Sequence, residues 1–136
     1  MEEKLIKTYS PVTFAFLGDA VYSLYIREKV VIFANTSPKK LHARTSAYVS
    51  ASAQAYVADR FLEDEVLSEE ELDIYKRGKN AHTATSAKNA SQADYHKATG
   101  VEALIGWLYL KEEHSRVDEL MKLAVKYTDE RKKVKL

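Results

Sequence analysis

Residues 103–110 read Ala-Leu-Ile-Gly-Trp-Leu-Tyr-Leu, and this apolar run decides the fold class. It lies within a predicted helix, Asp94–Glu113, and it leaves that helix without a polar face. A helix that is apolar all round has to be buried on every side. We therefore expect it to lie at the centre of the domain or partly in a subunit interface, and the small size of the domain favours the interface.

Helix-start signals occur on both sides of this run. Ser10-Pro11 places a capping residue before a proline at the first helical position, and it predicts a helix through about Phe33. The predicted core face of that helix, by helical spacing, is Phe14, Leu17, Val21 and Leu24. Ser37-Pro38 repeats the signal and predicts a second long helix to about Leu62.

Two further starts have the spacing of a capping box. Ser68–Glu71 opens a third helix, with acids at the positive end of the helix dipole. Ser115–Asp118 opens the last helix. The residues predicted to face inward from that helix are Val117, Leu120, Met121, Ala124 and Tyr127. No stretch alternates as a strand does, so the predicted fold is all-α.

The composition restricts the class of protein. The chain has 136 residues, which suits a single domain over residues 1–136. It has no cysteine, which excludes a disulfide scaffold, a thiolate metal site and a cysteine nucleophile. No apolar run approaches the roughly 18 residues of a spanning helix, and the charged start Met1–Lys7 leads into no signal-peptide core. We expect a cytoplasmic protein that does not contact a membrane.

Charge is segregated along the chain, although the formal net charge is only +1. Asp59–Asp73 carries eight acids and one base, whereas Lys76–Lys97 carries five bases, two histidines and one acid. Within the basic segment, Asn80–Ala93 is polar and lacks large apolar residues. Because a basic segment can attract a polyanion locally, we interpret Asn80–Ala93 as a contact loop. The other interpretation is a simple connector between helices with solvated charges.

Several familiar site patterns are absent from the sequence. There is no phosphate-binding loop, no dinucleotide-binding glycine turn and no nucleophile elbow. The four histidines are far apart, and no His-x-x-x-His or Glu-x-x-His pair occurs. Zinc sites and di-iron bundles therefore lack their local ligand patterns.

Two carboxylates remain, both in apolar surroundings. Asp19 lies within the stretch Phe14–Tyr22, and Glu102 opens the run of residues 103–110. Carboxylates are rarely buried without a partner, because removing water from the ion is costly. One interpretation is that each acid pairs with a base or caps a neighbouring helix. The other is that two helices bring Asp19 and Glu102 together to hold Mg²⁺ or Mn²⁺, which prefer carboxylate oxygens.

The same two segments resemble motifs of one nuclease family. Phe16–Val21 reads FLGDAV and resembles the central part of the ribonuclease III signature, and Val101–Gly106 reads VEALIG and resembles the second conserved motif of that domain. Tyr95–Glu102 (YHKATGVE) and Arg77–Ala81 (RGKNA) resemble the short branch of the family called Mini-ribonuclease III. Full-length members carry a double-stranded-RNA-binding domain after the catalytic domain, and we expect none here. The resemblance covers essentially the whole chain.

This resemblance implies a homodimeric endonuclease that uses Mg²⁺, with Mn²⁺ as an alternative, to cut double-stranded RNA into products with 5′-phosphate and 3′-hydroxyl ends. It implies that Asp19 and Glu102 are the catalytic and metal-binding carboxylates. Full-length members have further acids where this chain has Val12, Ala15 and Thr99, so the number of metal ions per site is open. The short branch is associated with maturation of the 23S ribosomal RNA precursor in bacteria, and a ribosomal protein on that substrate is a further candidate partner.

The resulting hypothesis is a dimer in which each chain cuts one strand of the RNA. The two chains would pair through Ala103–Leu110 and part of the first long helix. The candidate RNA contacts around the polar loop are Arg77, Lys79, Asn80, His82, Lys88, His96 and Lys97. Two alternatives are a non-catalytic double-stranded-RNA-binding module on the same fold and a helical scaffold protein whose acids only pair with local bases.

Overall fold

The structure is a computed structural model that describes residues 1–81 and 91–135, and the regular structure in these residues is all helical. The helices are α1 (Glu3–Ile6), α2 (Pro11–Phe33), α3 (Pro38–Val49), α4 (Ala51–Glu63), α5 (Glu69–Lys79), α6 (Gln92–Leu110) and α7 (His114–Lys135). The all-α prediction is confirmed for the described residues. The short helix α1 was not predicted.

Helix α6 is the centre of the fold. It packs against α2, α4, α5 and α7. Its apolar run is buried by these neighbours as far as Leu108, with Ala103 and Leu104 fully inaccessible. The prediction that Ala103–Leu110 takes part in a subunit interface is therefore wrong, because this chain's own helices already cover almost all of it.

The local start signals are confirmed at three helices. The Ser10 hydroxyl accepts a hydrogen bond from the Thr13 backbone N–H, and Ser37 does the same for Lys40. Ser68 and Glu71 form the reciprocal capping box that their spacing predicts. Each of these signals depends only on residues within one turn, which is why the sequence reveals them.

The predicted second helix is two helices. Ser50 ends α3 and begins α4 in an extended conformation, with φ −60° and ψ 156°. Its hydroxyl accepts a hydrogen bond from the Ala53 backbone N–H, so it replaces the carbonyl partner that a continuous helix would supply. The chain turns at this point, and α4 packs against the central helix while α3 packs against α2.

Two other predictions need correction. Phe14 and Val21 are buried on α2 as predicted, but Leu24 is 66% exposed. The inner face of α2 continues through Tyr22 and Ile26 instead. The last helix begins at His114, one residue before the predicted Ser115 start, and its five predicted inward residues are all buried.

No helix in the described ranges is both long enough and apolar enough to cross a membrane. Of the predicted loop Asn80–Ala93, residues 82–90 lie outside the described residues. The helix before this segment, α5, packs against α6, and Gly78 near its end lies against Gly100 and Ala103.

A buried ion pair joins α5 to α7. The Glu71 carboxylate accepts hydrogen bonds from Nε and Nη2 of Arg116, both at 2.8 Å, and from the Ser68 backbone N–H at 2.9 Å. Burial disfavours the ionised form of Glu71, but the hydrogen bonds from Arg116 and Ser68 outweigh it and lower the pKa of Glu71 below its usual 4.5. The ionised form of Glu71 therefore stabilises the folded protein.

Glu71→Gln is expected to lower the free energy of unfolding at pH 7 by about 2 kcal/mol, since hydrogen bonds to charged groups contribute roughly 1.5–3 kcal/mol. Because the pKa of Glu71 is lowered on folding, its contribution is complete above 4.5 and is lost as the pH falls through the folded value. Urea unfolding of both proteins at neutral and at acidic pH measures this difference. Glu70→Gln, at an exposed position one residue earlier, is the control, and equal stability of Glu71→Gln and wild type at pH 7 would contradict the prediction.

Candidate active site

Helices α2 and α6 cross where only glycine fits. A Cβ added to Gly18 would lie 1.7 Å from the carbonyl oxygen of Glu102, and one added to Gly106 would lie 1.9 Å from the carbonyl oxygen of Phe14. The two backbones are therefore in direct contact, which only residues without a Cβ allow. This crossing sets Asp19, the residue after Gly18, beside Glu102.

The two carboxylates have different surroundings. Glu102 is partly buried, whereas Asp19 is exposed, as are Phe16 and Ala20 on the same side of α2. The predicted apolar setting is thus right for Glu102 and wrong for Asp19. The reason is that the buried apolar residues near Asp19, such as Val21 and Tyr22, lie on another face of α2, whereas Phe16 and Ala20 beside Asp19 point away from the core.

The carboxyl groups of Asp19 and Glu102 are hydrogen-bonding neighbours, and the pKa of Glu102 is raised to about 8. Burial is the largest cause, because it removes water from the ionised form, and the charge of Asp19 is the next. A hydrogen bond from Gln54 acts in the opposite direction. Without a cation, Glu102 therefore keeps a proton near neutral pH, and a bound cation would favour its release.

A third polar side chain, which the sequence did not predict, belongs to this site. Gln54 lies on α4 and is 2% exposed. Its Nε2 donates to Glu102 Oε2 at 3.2 Å and to the Val49 carbonyl oxygen at 3.0 Å. The sequence offered one signal for the role of Gln54. Its amide side chain lies between two alanines, Ala53 and Ala55, in a helix whose small residues allow close packing.

The donors present suit a hard divalent cation. Asp19 and Glu102 supply carboxylate oxygens, and no cluster of three or more metal-ligating side chains occurs in residues 1–81 and 91–135. Mg²⁺ is usually held by one or two carboxylates and completes its shell with water and substrate phosphate. Two carboxylates that repel each other therefore fit Mg²⁺ or Mn²⁺ better than they fit a metal that needs a full cage of protein ligands.

The predicted RNA contacts fall into different surroundings. His82 and Lys88 lie outside the described residues. Lys79 and Asn80 form the C-terminal end of α5, where Gly78 allows close contact with α6. The end of this helix is therefore held firmly beside α6, the helix that carries Glu102.

Two of the basic candidates have acidic neighbours. Lys97 Nζ lies 2.8 Å from Asp59 Oδ1, so the segregation of charge seen along the sequence is partly cancelled in space. Arg77 lines a cavity of about 370 Å³ together with the acids Glu69, Glu70 and Asp73. His96 packs near the Tyr95 ring, with centroids 6.1 Å apart. The two residues that end α5 are accordingly the best-placed candidates for phosphate contact among those described.

Comparisons with known proteins indicate a family and support the fold. The profile of the Ribonuclease III domain family matches residues 12–113. Mini-ribonuclease 3 from Staphylococcus aureus is 38% identical over 130 residues, which cover 96% of this chain and 97% of that protein. Mini-ribonuclease 3 from Streptococcus pneumoniae is 46% identical over 110 residues, covering 81% and 86%. The crystal structure of a Fusobacterium nucleatum protein matches with a TM-score of 0.75 at 31% identity, covering 87% of this chain and 93% of that one.

Proposed function

Because this chain belongs to the ribonuclease III family, it is an endoribonuclease, and we propose that it cuts double-stranded RNA with Mg²⁺ held by Asp19 and Glu102. The family acts on double-stranded RNA and generally depends on divalent metal ions. Mn²⁺ is the alternative ion. The products would carry 5′-phosphate and 3′-hydroxyl ends.

The observation that carries this proposal is the placement of Asp19 beside Glu102 at the glycine crossing of α2 and α6. When bound, a divalent ion lowers the pKa of a water molecule and offsets negative charge on the scissile phosphate. Asp19 faces solvent and would hold the ion where a phosphate can reach it, while Glu102 would hold the ion from its partly buried side. The two acids therefore have complementary tasks in holding one ion at the protein surface.

Recognition of the duplex would depend on shape and backbone contacts. A-form RNA has a deep, narrow major groove that side chains cannot read, so proteins contact its phosphates and 2′-hydroxyls instead. Lys79 and Asn80 are the candidates for such contacts that the structure best supports. Phosphate contacts release counterions, so binding should weaken steeply as the salt concentration rises.

We also propose a homodimer that forms through α2. Val12, Phe16 and Leu24 are 46%, 85% and 66% exposed, and their spacing puts them on one face of the helix. Asp19 lies beside this apolar face. A twofold axis through it would bring two sites to a shared groove, which suits the two strands of a duplex.

Phe16→Glu is expected to convert the dimer into a monomer, because it places a charge where the most exposed aromatic ring of α2 would meet its partner. Sedimentation equilibrium at micromolar concentration should show the mass falling by half. The control is Leu62→Glu, which changes a 42% exposed leucine on α4 and should leave the mass unchanged. A Phe16→Glu protein that stays dimeric would exclude this face as the interface.

We further propose that the natural substrate is the precursor of 23S ribosomal RNA, processed in the cytoplasm. The support is the resemblance to the short branch of the family and the name Mini-ribonuclease 3 of the similar proteins. A ribosomal protein bound to that precursor is a candidate partner that would present the duplex.

A long end-labelled RNA duplex tests the activity directly. We expect wild-type protein to cut it in Mg²⁺, to stop when EDTA removes the metal, and to leave the matching single strand intact. End-group analysis of the fragments should find 5′-phosphates. Binding of the duplex without cleavage in Mg²⁺ or Mn²⁺ would overturn the proposal in favour of a non-catalytic RNA-binding module.

A further inference from the structure

The side-chain amide of Gln54 has only one orientation that satisfies its neighbours. Its two close partners are the Val49 carbonyl oxygen and Glu102 Oε2. A backbone carbonyl can only accept, so the group that faces Val49 must be the NH₂ group of the amide. Nε2 thus bridges α3 and α6, although Gln54 itself belongs to α4.

The break between α3 and α4 makes this bridge available. In an uninterrupted helix, the Ala53 backbone N–H would donate to the Val49 carbonyl. Here Ala53 donates to the Ser50 hydroxyl at 3.3 Å, and the Val49 carbonyl accepts from Gln54 Nε2. The break at Ser50 therefore turns a helix-internal acceptor into a fixed support for the Gln54 side chain.

Only one end of the Gln54 amide is paired. Gln54 is 2% exposed, and its Oε1 atom is buried without a hydrogen-bond partner among the described residues. Leaving a buried polar atom unpaired is unfavourable, and such atoms are few in native proteins. An apolar side chain of the same size would avoid that cost, but it would leave the Val49 carbonyl and Glu102 Oε2 without their donor, so the amide is explained by what Nε2 holds.

We propose that Gln54 is a positioning residue that fixes the Glu102 carboxylate for metal binding through the Val49–Gln54–Glu102 bridge. This inference rests on the proposed function, because it takes Glu102 as a metal ligand. Partners that orient a ligating carboxylate contribute to metal affinity without touching the metal. With Nε2 bonded to Oε2, the carboxylate of Glu102 is restrained toward the neighbouring Asp19, while its Oε1 atom is not engaged by Gln54.

Gln54→Met tests the bridge, because methionine has nearly the length of glutamine and lacks the amide. Mn²⁺ binding is measured without RNA, by electron paramagnetic resonance of the free ion, and thermal unfolding is followed in parallel. We expect affinity for Mn²⁺ to fall about tenfold, the lower end of the range for such supporting partners. The unfolding temperature without metal should fall only slightly, because the loss of the two Nε2 hydrogen bonds is partly offset by the loss of the unpaired Oε1 atom.

Thr128→Val is the matched control. Thr128 is also 2% exposed and donates only to the Ala124 carbonyl within α7, so its loss removes a buried polar group away from Glu102. Its affinity for Mn²⁺ should equal that of wild type. If Gln54→Met does not fold, Gln54→Asn replaces it, because that side chain keeps the amide but is one methylene too short to reach both partners.

The outcomes distinguish the positioning role of Gln54 from the proposed metal site itself. Unchanged Mn²⁺ affinity in Gln54→Met overturns the positioning role and leaves the proposed function standing, provided that Glu102→Gln abolishes binding. A loss of affinity matched by an equal loss in Thr128→Val would also overturn it, since packing would then be the cause. If wild-type protein and Glu102→Gln bind Mn²⁺ equally, the metal site itself is overturned, and the role of Gln54 with it.

Discussion

Asp19→Asn is expected to slow cleavage of an RNA duplex by about 10³-fold at saturating Mg²⁺. The variant keeps the size of the side chain and removes the charge that would hold the ion. Metal stabilisation of a transition state amounts to several kcal/mol, and each 1.36 kcal/mol or so corresponds to a factor of ten in rate. Single-turnover cleavage with enzyme in excess measures the chemical step directly.

A loss of stability should not account for the slower cleavage, because Asp19 is exposed and makes no contact that the core needs. We expect the free energy of unfolding to change by less than about 0.5 kcal/mol, the usual range for surface substitutions. Glu28→Gln is the control, since it neutralises another exposed acid of α2 and should cut at the wild-type rate. If Asp19→Asn keeps more than a tenth of the wild-type rate, Asp19 is not a ligand of the reacting metal.

Gly18→Ala is expected to lower the free energy of unfolding by at least about 4 kcal/mol, a size that is exceptional for a point substitution. The added Cβ would lie 1.7 Å from the Glu102 carbonyl oxygen and 2.8 Å from the Gly106 nitrogen. Both atoms are backbone, so no side chain can move aside and α2 must separate from α6. Because α6 is the centre of the fold, this separation opens the core.

The direction of the change in stability distinguishes a clash between helices from an effect of helix propensity. Helix propensity alone favours alanine over glycine by about 1 kcal/mol, so a local effect would stabilise the protein. Ala43→Gly, at an exposed position in α3, measures that local term and should cost about 1 kcal/mol. Urea unfolding of the three proteins compares them, and a Gly18→Ala protein as stable as wild type would show that the two helices do not meet as described.

Local signals in the sequence were sufficient for most of the helical layout. The caps at Ser10, Ser37 and Ser68 mark the starts of α2, α3 and α5, because a cap involves only the residues of one turn. The apolar run of residues 103–110 identified the buried helix for a similar reason, since a helix with no polar face has no stable place at the surface. The sequence motifs around Asp19 and Glu102 identified the two acids. The structure places their side chains next to each other, as predicted.

Features that depend on packing between helices were not predictable in the same way. α2 is apolar on two faces, and the sequence alone made Leu24 as good a core residue as Ile26. Its glycine crossing with α6 decides which face is inside, and that leaves Phe16 and Leu24 exposed and Asp19 at the surface. A helical period specifies which residues share a face, but not which face another helix will cover.

The break at Ser50 has the same kind of origin. Along the sequence, residues 38–62 favour a continuous helix, and a serine is tolerated inside one at little cost. A cap at Ser50 exchanges one hydrogen bond for another, so local energies barely distinguish the two structures. The contact of Gln54 with Val49 needs the carbonyl that the break frees, and the contacts of α4 with α6, including that of Gln54 with Glu102, come from residues distant in the chain. Short-range sequence signals therefore determine the helices and identify the two acids. The exposure of Asp19, the burial of Glu102 and the contacts of Gln54 are decided only when the helices pack against each other.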